Sequence, residues 1–282
     1  MNKQLSAGKW RDLGTRAGVA LALAPVVLFC IWKGGAAFTS LLALVSALMV
    51  FEWCRLIFSQ PGATVQMGIH GAAIAGMLIA LCYSKPLIGI LFAIVFWLLS
   101  VVWARRDDEK AFPWAYYGVP YLVLPMAALF MLRTDPTYGL MATIWLIAVI
   151  WATDIGAYFA GRIIGGPKLA PRFSPKKTWA GLVGGAMFAA IASFGVALYF
   201  NIYPRVGLSV FAAFVAAFSQ AGDIFESAAK RHFGVKDSSN ILPGHGGILD
   251  RVDGLVFAAV LCAAFGLVRG GFDAPAKGLM AW

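Results

Sequence analysis

Hydrophobic positions in this chain run together in long blocks, separated by short polar and basic stretches. Nine such blocks can be drawn, at about 17–32, 36–53, 67–84, 87–104, 114–132, 139–161, 179–200, 207–228 and 253–268. Several contain 17 or more consecutive residues without a charge. About 20 such residues as a helix cross a ~30 Å hydrocarbon core, and helices satisfy their own backbone there. The pattern therefore predicts an all-α polytopic integral membrane protein of about nine transmembrane helices. The first and last blocks are short for a full crossing. The fifth carries Pro120 and Pro125, which predict a kink or a re-entrant segment. No internal repeat and no long polar linker interrupts the series, so residues 1–282 are expected to form one integral domain.

Composition agrees with this reading. Hydrophobic residues make up 61% and charged residues 13%, against roughly 45–50% and 25% in soluble domains. A net charge of +10 suggests nucleic acid at first, but the basic residues sit in the short loops between spans, as the positive-inside rule requires. With nine crossings and a cytoplasmic N-terminus, the outside receives only Lys33, Lys85, Arg133, Arg205, Arg269 and Lys277. The other 17 of 23 fall inside. A cytoplasmic N-terminus and an external C-terminus follow. The basic stretch with Lys3, Lys9, Arg11 and Arg16 before the first block resembles a signal peptide, but no cleavage site separates the block from the next, so a retained span is expected. Cys30, Cys54, Cys82 and Cys262 are scattered without CxxC spacing, which supports neither a disulfide framework nor a zinc site.

The acidic residues carry more information. Asp107, Asp108 and Glu109 form a loop cluster with Arg105, Arg106 and Lys110, and Asp12, Glu52, Asp135 and Asp273 lie near block ends, where water is expected. Asp154 and Asp223 each sit seven residues before a basic edge, about 10 Å deep at 1.5 Å per residue. A carboxylate at the centre of a span costs about 2.5–3.5 kcal/mol on insertion scales. Either an ion pair with a neighbouring span or a functional site facing the bundle interior offsets such a cost, and the second is the reading adopted.

Further along, Asp223, Glu226 and Ser227 share a helix face by their i,i+3 and i,i+4 spacing, and Asp250 and Asp253 repeat the i,i+3 relation at the start of the last block. Two helix ends can thus aim carboxylates into one polar cleft facing the cytoplasm. Between them lies the turn Pro243-Gly244-His245-Gly246-Gly247, whose backbone amides can approach a ligand closely. Carboxylates beside Lys230, Arg231, Lys236 and Arg251, with few histidines, suit a hard cation that arrives with phosphate, as Mg2+ does. The loop with Gly165, Gly166, Lys168 and Ser174-Pro175-Lys176-Lys177-Thr178 offers the same ingredients without a P-loop. Contact with lipid headgroups is as good a reading of its cations as contact with a nucleotide. His70 at a block edge is expected to be structural and His232 exposed, whereas His245 between glycines is a candidate for substrate contact.

This stretch resembles the phosphatidate cytidylyltransferases, also called CDP-diacylglycerol synthases. Their signature is met in order by Ser227, Lys230-Arg231, Lys236-Asp237, Pro243, His245-Gly246-Gly247, Asp250-Arg251 and Asp253. An upstream block is similar through Asp154, Tyr158, Gly161, Gly165 and Ser174 to Trp179. Ala180 stands where the family commonly has Glu. The resemblance covers the C-terminal half, so residues 1–150 are expected to be N-terminal spans and 151–282 catalytic spans and loops.

It implies a nucleotidyltransferase of phospholipid biosynthesis that moves CMP from CTP to phosphatidic acid, releasing pyrophosphate. In that reading Asp223, Asp250 and Asp253 hold Mg2+, with a second cation such as K+ nearby. Lys230 and Arg231 hold phosphates, Ser227 and His245 orient oxygens, and Gly246 and Gly247 admit the ligand. Lys176, Lys177, Lys236, Arg251 and Asp154 are further substrate contacts, and Lys177 is expected to share its load with neighbouring cations. The expected partners are CTP, phosphatidic acid and the inner (plasma) membrane, with no nucleic acid; a homodimer is left open. Two alternatives stand beside it. A transporter could use Asp154 and Asp223 as a relay, but the outer half of the chain is nearly bare of polar groups. A CTP-using polyprenol kinase would differ in its products.

Overall fold

The computed structural model describes residues 21–107, 109–242 and 246–281. Helices dominate: α1 (Leu21–Lys33), α2 (Gly35–Ile57), α3 (Gly62–Cys82), α4 (Pro86–Asp107), α5 (Phe112–Thr134), α6 (Gly139–Ile163), α7 (Trp179–Tyr199), α8 (Arg205–His232), α9 (Leu249–Gly270) and the short α10 (Pro275–Met280). Each expected block corresponds to one helix, and among the described residues eight, α2 to α9, are long and apolar enough to cross a membrane. The chain is an all-α polytopic membrane protein. α1 is short over its described part, and the start of the first block lies outside the described residues. The last block is longer than expected. α9 begins at Leu249, four residues before the block drawn from hydropathy, so that Asp250 joins Asp253 within its first turns, as their i,i+3 spacing required.

Membrane-facing surface explains the greasy composition. α4 leaves Leu87, Leu91, Leu98 and Val102 exposed, an arrangement that only hydrocarbon tolerates over such an area. At the other extreme α5 is the most buried span. It touches α2, α3, α4, α6 and α9, and it runs unbroken through Pro120 and Pro125, so the re-entrant alternative is corrected. Pro120 cannot donate to the Tyr116 carbonyl, and Trp97 of α4 replaces that bond, its Nε1 donating to Tyr116 O at 2.9 Å.

Polar side chains tie spans together elsewhere. Gln66 Nε2 donates to Ser100 O at 3.0 Å and Ser100 Oγ to Gln66 Oε1 at 2.8 Å, joining α3 to α4. Trp145 Nε1 donates to Ser193 Oγ at 2.8 Å, joining α6 to α7. Small residues let α6 and α7 approach closely. A Cβ on Gly156 would sit 2.7 Å from Gly184 O, and one on Gly185 would sit 2.9 Å from Thr153 O. Between these two helices the chain forms a feature that the apolar pattern did not announce, an antiparallel hairpin of β1 (Lys168–Ala170) and β2 (Ser174–Thr178). Thr178 ends it and caps α7, its Oγ1 accepting from Gly181 N at 3.0 Å.

Two of the acids assigned to water at block ends are placed differently. Glu52 is fully buried and Asp135 nearly so. Asp135 Oδ1 accepts from Thr137 N and Tyr138 N at 2.9 and 2.8 Å, which opens α6, while Oδ2 accepts from Lys277 N at 3.2 Å. His70 is buried with its Nδ1 2.7 Å from Gln66 O, and His232 is exposed.

Candidate active site

One end of the bundle gathers the polar residues of the C-terminal half, and a glycine sets the geometry there. A Cβ on Gly222 of α8 would collide with the Asp253 carbonyl of α9. With no side chain in the way, the two helices close up. Asp223 and Asp253 then come within hydrogen-bond reach of one another. Two carboxylates at that separation repel unless a proton or a cation lies between them. β2 supplies a cation from outside. In β2 Lys176 is exposed while Lys177 is partly buried, and the Lys177 Nζ pairs with Asp223 Oδ2. Asp154 of α6 is exposed, lies within electrostatic range of Asp223, Lys177 and Arg251, and has no side-chain partner among the described residues.

A second polar group lies one turn further along α8. Lys230 is buried, and its Nζ donates to Glu226 Oε2 at 2.9 Å and also to Asp250 Oδ1. The other Asp250 oxygen accepts from Ser238 N at 3.0 Å, Ser238 Oγ at 2.9 Å and Gly247 N at 2.8 Å. Asp250 is therefore saturated by its own chain. The three aspartates grouped by spacing divide into a pair, Asp223 and Asp253, and a third that locks the loop between α8 and α9. Among the described residues no three His, Cys, Asp or Glu side chains converge at metal-binding spacing.

The loop is held from a distance by Glu52 of α2. Its Oε1 accepts from Ser239 Oγ at 2.6 Å and Ile248 N at 2.8 Å; its Oε2 accepts from Leu249 N at 2.8 Å and lies 3.0 Å from Ser238 Oγ, whose single proton it shares with Asp250 Oδ2. A carboxylate thus satisfies the first amides of α9, where the helix dipole favours negative charge. Gly247 has to be glycine for the same reason: a Cβ there would lie 2.6 Å from Glu52 Oε2 and against Ser238 Oγ. Gly246 adopts φ +82°, and its backbone faces Asp250. These two glycines serve packing inside the loop as well as any approach by a ligand.

The remaining candidates lie around this centre. Ser227 is half-buried one turn from Asp223, and Lys176, Lys236 and Arg251 are exposed at the rim. Arg231 is exposed too, and its Nη1 donates to Val235 O at 3.0 Å at the end of α8. His245 and Pro243 lie outside the described residues. Glu52 was missed as a site residue. One signal for it was available: it is the only acid between residues 13 and 106.

Comparison with known proteins points in one direction. The chain matches the model of the cytidylyltransferase family over residues 14–268. It is 40% identical over 266 residues to the phosphatidate cytidylyltransferase of Brucella suis, covering 94% of this chain and 97% of that one. It is 37% identical over 272 residues to the phosphatidate cytidylyltransferase of Pseudomonas aeruginosa, with 89% and 98% covered. Identity to that of Bacillus subtilis is 34% over 263 residues, with 87% and 94% covered.

Proposed function

Because this chain belongs to the cytidylyltransferase family, and within it is a phosphatidate cytidylyltransferase moving CMP from CTP to phosphatidic acid, we propose how its own residues divide that work. The observation that carries the proposal is the meeting of Asp223 and Asp253 across the Gly222 contact, with Lys177 delivered to them by the hairpin. A phosphate oxygen of phosphatidic acid attacks the α-phosphorus of CTP. One P–O bond forms, the bond to the β-phosphate oxygen breaks, and pyrophosphate leaves. The attacking oxygen is already an anion, so the site needs positioning and charge compensation more than a general base.

Mg2+ fits the Asp223–Asp253 pair, because Mg2+ is usually held by one or two carboxylates together with substrate phosphates. When bound, it would offset phosphate charge and polarise the reacting phosphorus. Asp154, exposed beside this pair, is the group we assign to a second cation such as K+. Lys177 stands where it can move from Asp223 to a phosphate oxygen. Lys176, Lys236, Arg231 and Arg251 offer the rim of positive charge that a triphosphate requires, and Ser227 offers a hydroxyl to orient it. Lys230 and Asp250 we assign to holding the loop, so that Gly246 and Gly247 present a fixed backbone to the nucleotide, and His245 stays a candidate substrate contact from the sequence. The basic rim we place at the cytoplasmic face, where CTP is found and where lipid headgroups sit beside the cleft.

Purified protein in detergent with radiolabelled CTP, Mg2+ and phosphatidic acid should release labelled CDP-diacylglycerol, and excess chelator should abolish it. Full turnover in chelator would remove the metal from Asp223 and Asp253. Label transferred from the γ-phosphate instead of the cytidine would mark a kinase.

A further inference from the structure

The hairpin between α6 and α7 carries charge that its surroundings leave unbalanced. No acidic residue occurs between Asp154 and Asp223 in the chain, yet Lys168 and Arg172 stand exposed on the hairpin. Among the described residues neither has a carboxylate partner; the ion pairs there belong to Lys177 and Lys230. The Arg172 guanidinium lies 5.6 Å from the centre of the Phe173 ring at the turn. Lys177 is the partly buried cation of the hairpin. Apart from the Thr178 cap, its bond to Asp223 is the hairpin's one side-chain hydrogen bond to another element among the described residues.

Apolar surface is exposed beside these cations. α6 has 25 residues, about 37 Å at 1.5 Å per residue, which exceeds a ~30 Å hydrocarbon core. Arg162 in its last turn marks the water side, so the residues after it lie in the headgroup layer. These are Ile163 and Ile164, 78% and 73% exposed, and Trp179 at the start of α7 is 52% exposed. The two helices meet at this level, where a Cβ on Gly161 would lie 3.1 Å from Thr178 Oγ1. Exposed isoleucines are unfavourable in water, whereas tryptophan and aliphatic side chains next to lysine and arginine suit an anionic membrane surface. We propose that the β1–β2 hairpin docks on anionic headgroups of the cytoplasmic leaflet, with Lys168 and Arg172 on lipid phosphates and Ile163, Ile164 and Trp179 at the acyl boundary, and that this contact holds the hairpin where Lys177 reaches Asp223. The proposal rests on the reading of the chain as a phosphatidate cytidylyltransferase with its basic end in the cytoplasm. It divides the hairpin's cations by task. Lys177 serves the reacting groups, while Lys168 and Arg172 serve the membrane around them, so turnover depends on the charge of the leaflet.

Two measurements test it, both on the whole chain in vesicles of phosphatidylcholine with or without phosphatidylglycerol, and with phosphatidic acid at one low mole fraction. Phosphatidylglycerol should raise wild-type turnover roughly fivefold, the weight of one basic residue near an anionic surface. Lys168→Gln combined with Arg172→Gln should abolish that increase, leaving KM for CTP and turnover in phosphatidylcholine unchanged. A raised KM for CTP would put these cations on the nucleotide, and an increase that survives in the variant would put the lipid effect elsewhere; either overturns the proposal. Position is read separately. In a background lacking the native cysteines, a nitroxide on Pro171→Cys, at the exposed turn, should be shielded from an aqueous nickel chelate in phosphatidylglycerol vesicles and open to it in phosphatidylcholine. High salt should open it in both, because screening weakens attraction between exposed charges. Equal chelate access in the two vesicles would overturn the docking, even where the paired variant failed to fold. Absence of wild-type turnover in every vesicle would instead overturn the activity on which the proposal rests, and the nitroxide would still decide the hairpin.

Discussion

Asp250 and Asp253 are three residues apart on one helix and face different work. Asp253 meets Asp223 with Lys177 close by, whereas Asp250 spends both oxygens on Lys230, Ser238 and Gly247. Asn in place of Asp223 or Asp253 keeps the shape but removes the charge that a hard cation needs. Turnover should fall at least about a hundredfold, as when a key electrostatic group is lost, with the melting temperature unchanged. Mg2+ should raise the melting temperature of the wild type and fail to do so in these variants. Asp250→Asn should differ. It leaves Lys230 buried with Glu226 alone, and breaking such a pair costs about 3 kcal/mol, read as a lower melting temperature. If Asp250→Asn melts like the wild type yet loses turnover, Asp250 reaches the reacting groups and its assignment to the loop fails. Lys177 also has a more particular position than its lysine-rich loop suggested, since it alone of that loop is turned toward Asp223. Lys177→Ala should therefore cost more turnover than Lys176→Ala.

Helix ends and helix contacts decide where these side chains stand. The N-terminus of α9 is held by Glu52 of α2, 196 residues before Ile248 in the chain. Glu52→Gln presents an NH2 where Ser238 or Leu249 now donates, so two donors face a donor. At about 1–3 kcal/mol for each buried group left unsatisfied, the variant should melt well below the wild type, and Glu52→Asp should recover little because it is one methylene short. A melting temperature equal to that of the wild type would mean that α9 is held by other contacts. The α8–α9 contact makes a sharper case. Gly222→Ala drives a methyl group into the Asp253 carbonyl, and overpacking of this kind costs about 1–3 kcal/mol and parts Asp223 from Asp253. Turnover should collapse while the protein still inserts. Gly195→Ala on α7 is the control, since nothing lies within 4 Å of a Cβ there, and it should leave turnover unchanged.

At the scale of the whole molecule, what could be read beforehand was what local sequence determines. Hydropathy is a property of neighbours, so every apolar block corresponds to a helix, and the i,i+3 spacing placed Asp223 with Glu226 and Asp250 with Asp253 on shared faces. Contacts between distant segments were not legible. Nothing near Glu52 announces Ile248, and nothing near Lys177 announces Asp223; the hairpin that carries Lys177 is too short to register against apolar helices. Pro120 misled for a related reason, since the bond that rescues its helix comes from Trp97 on another span. Charge, in contrast, is sorted by the bilayer over the whole chain, and this carries the last prediction. The end of the bundle bearing Lys176 and Lys236 should face the cytoplasm, and the end bearing Lys85 and Lys277 the opposite side. In a background lacking the four native cysteines, Lys236→Cys should react with an impermeant maleimide only after the membrane is opened, and Lys85→Cys should react in intact spheroplasts. Both positions are exposed loop residues, so neither outcome depends on burial. Labelling of the two from the same side would show that α4 to α8 do not all cross, and labelling of Lys236→Cys alone in intact spheroplasts would invert the molecule and put the cleft on the side without CTP.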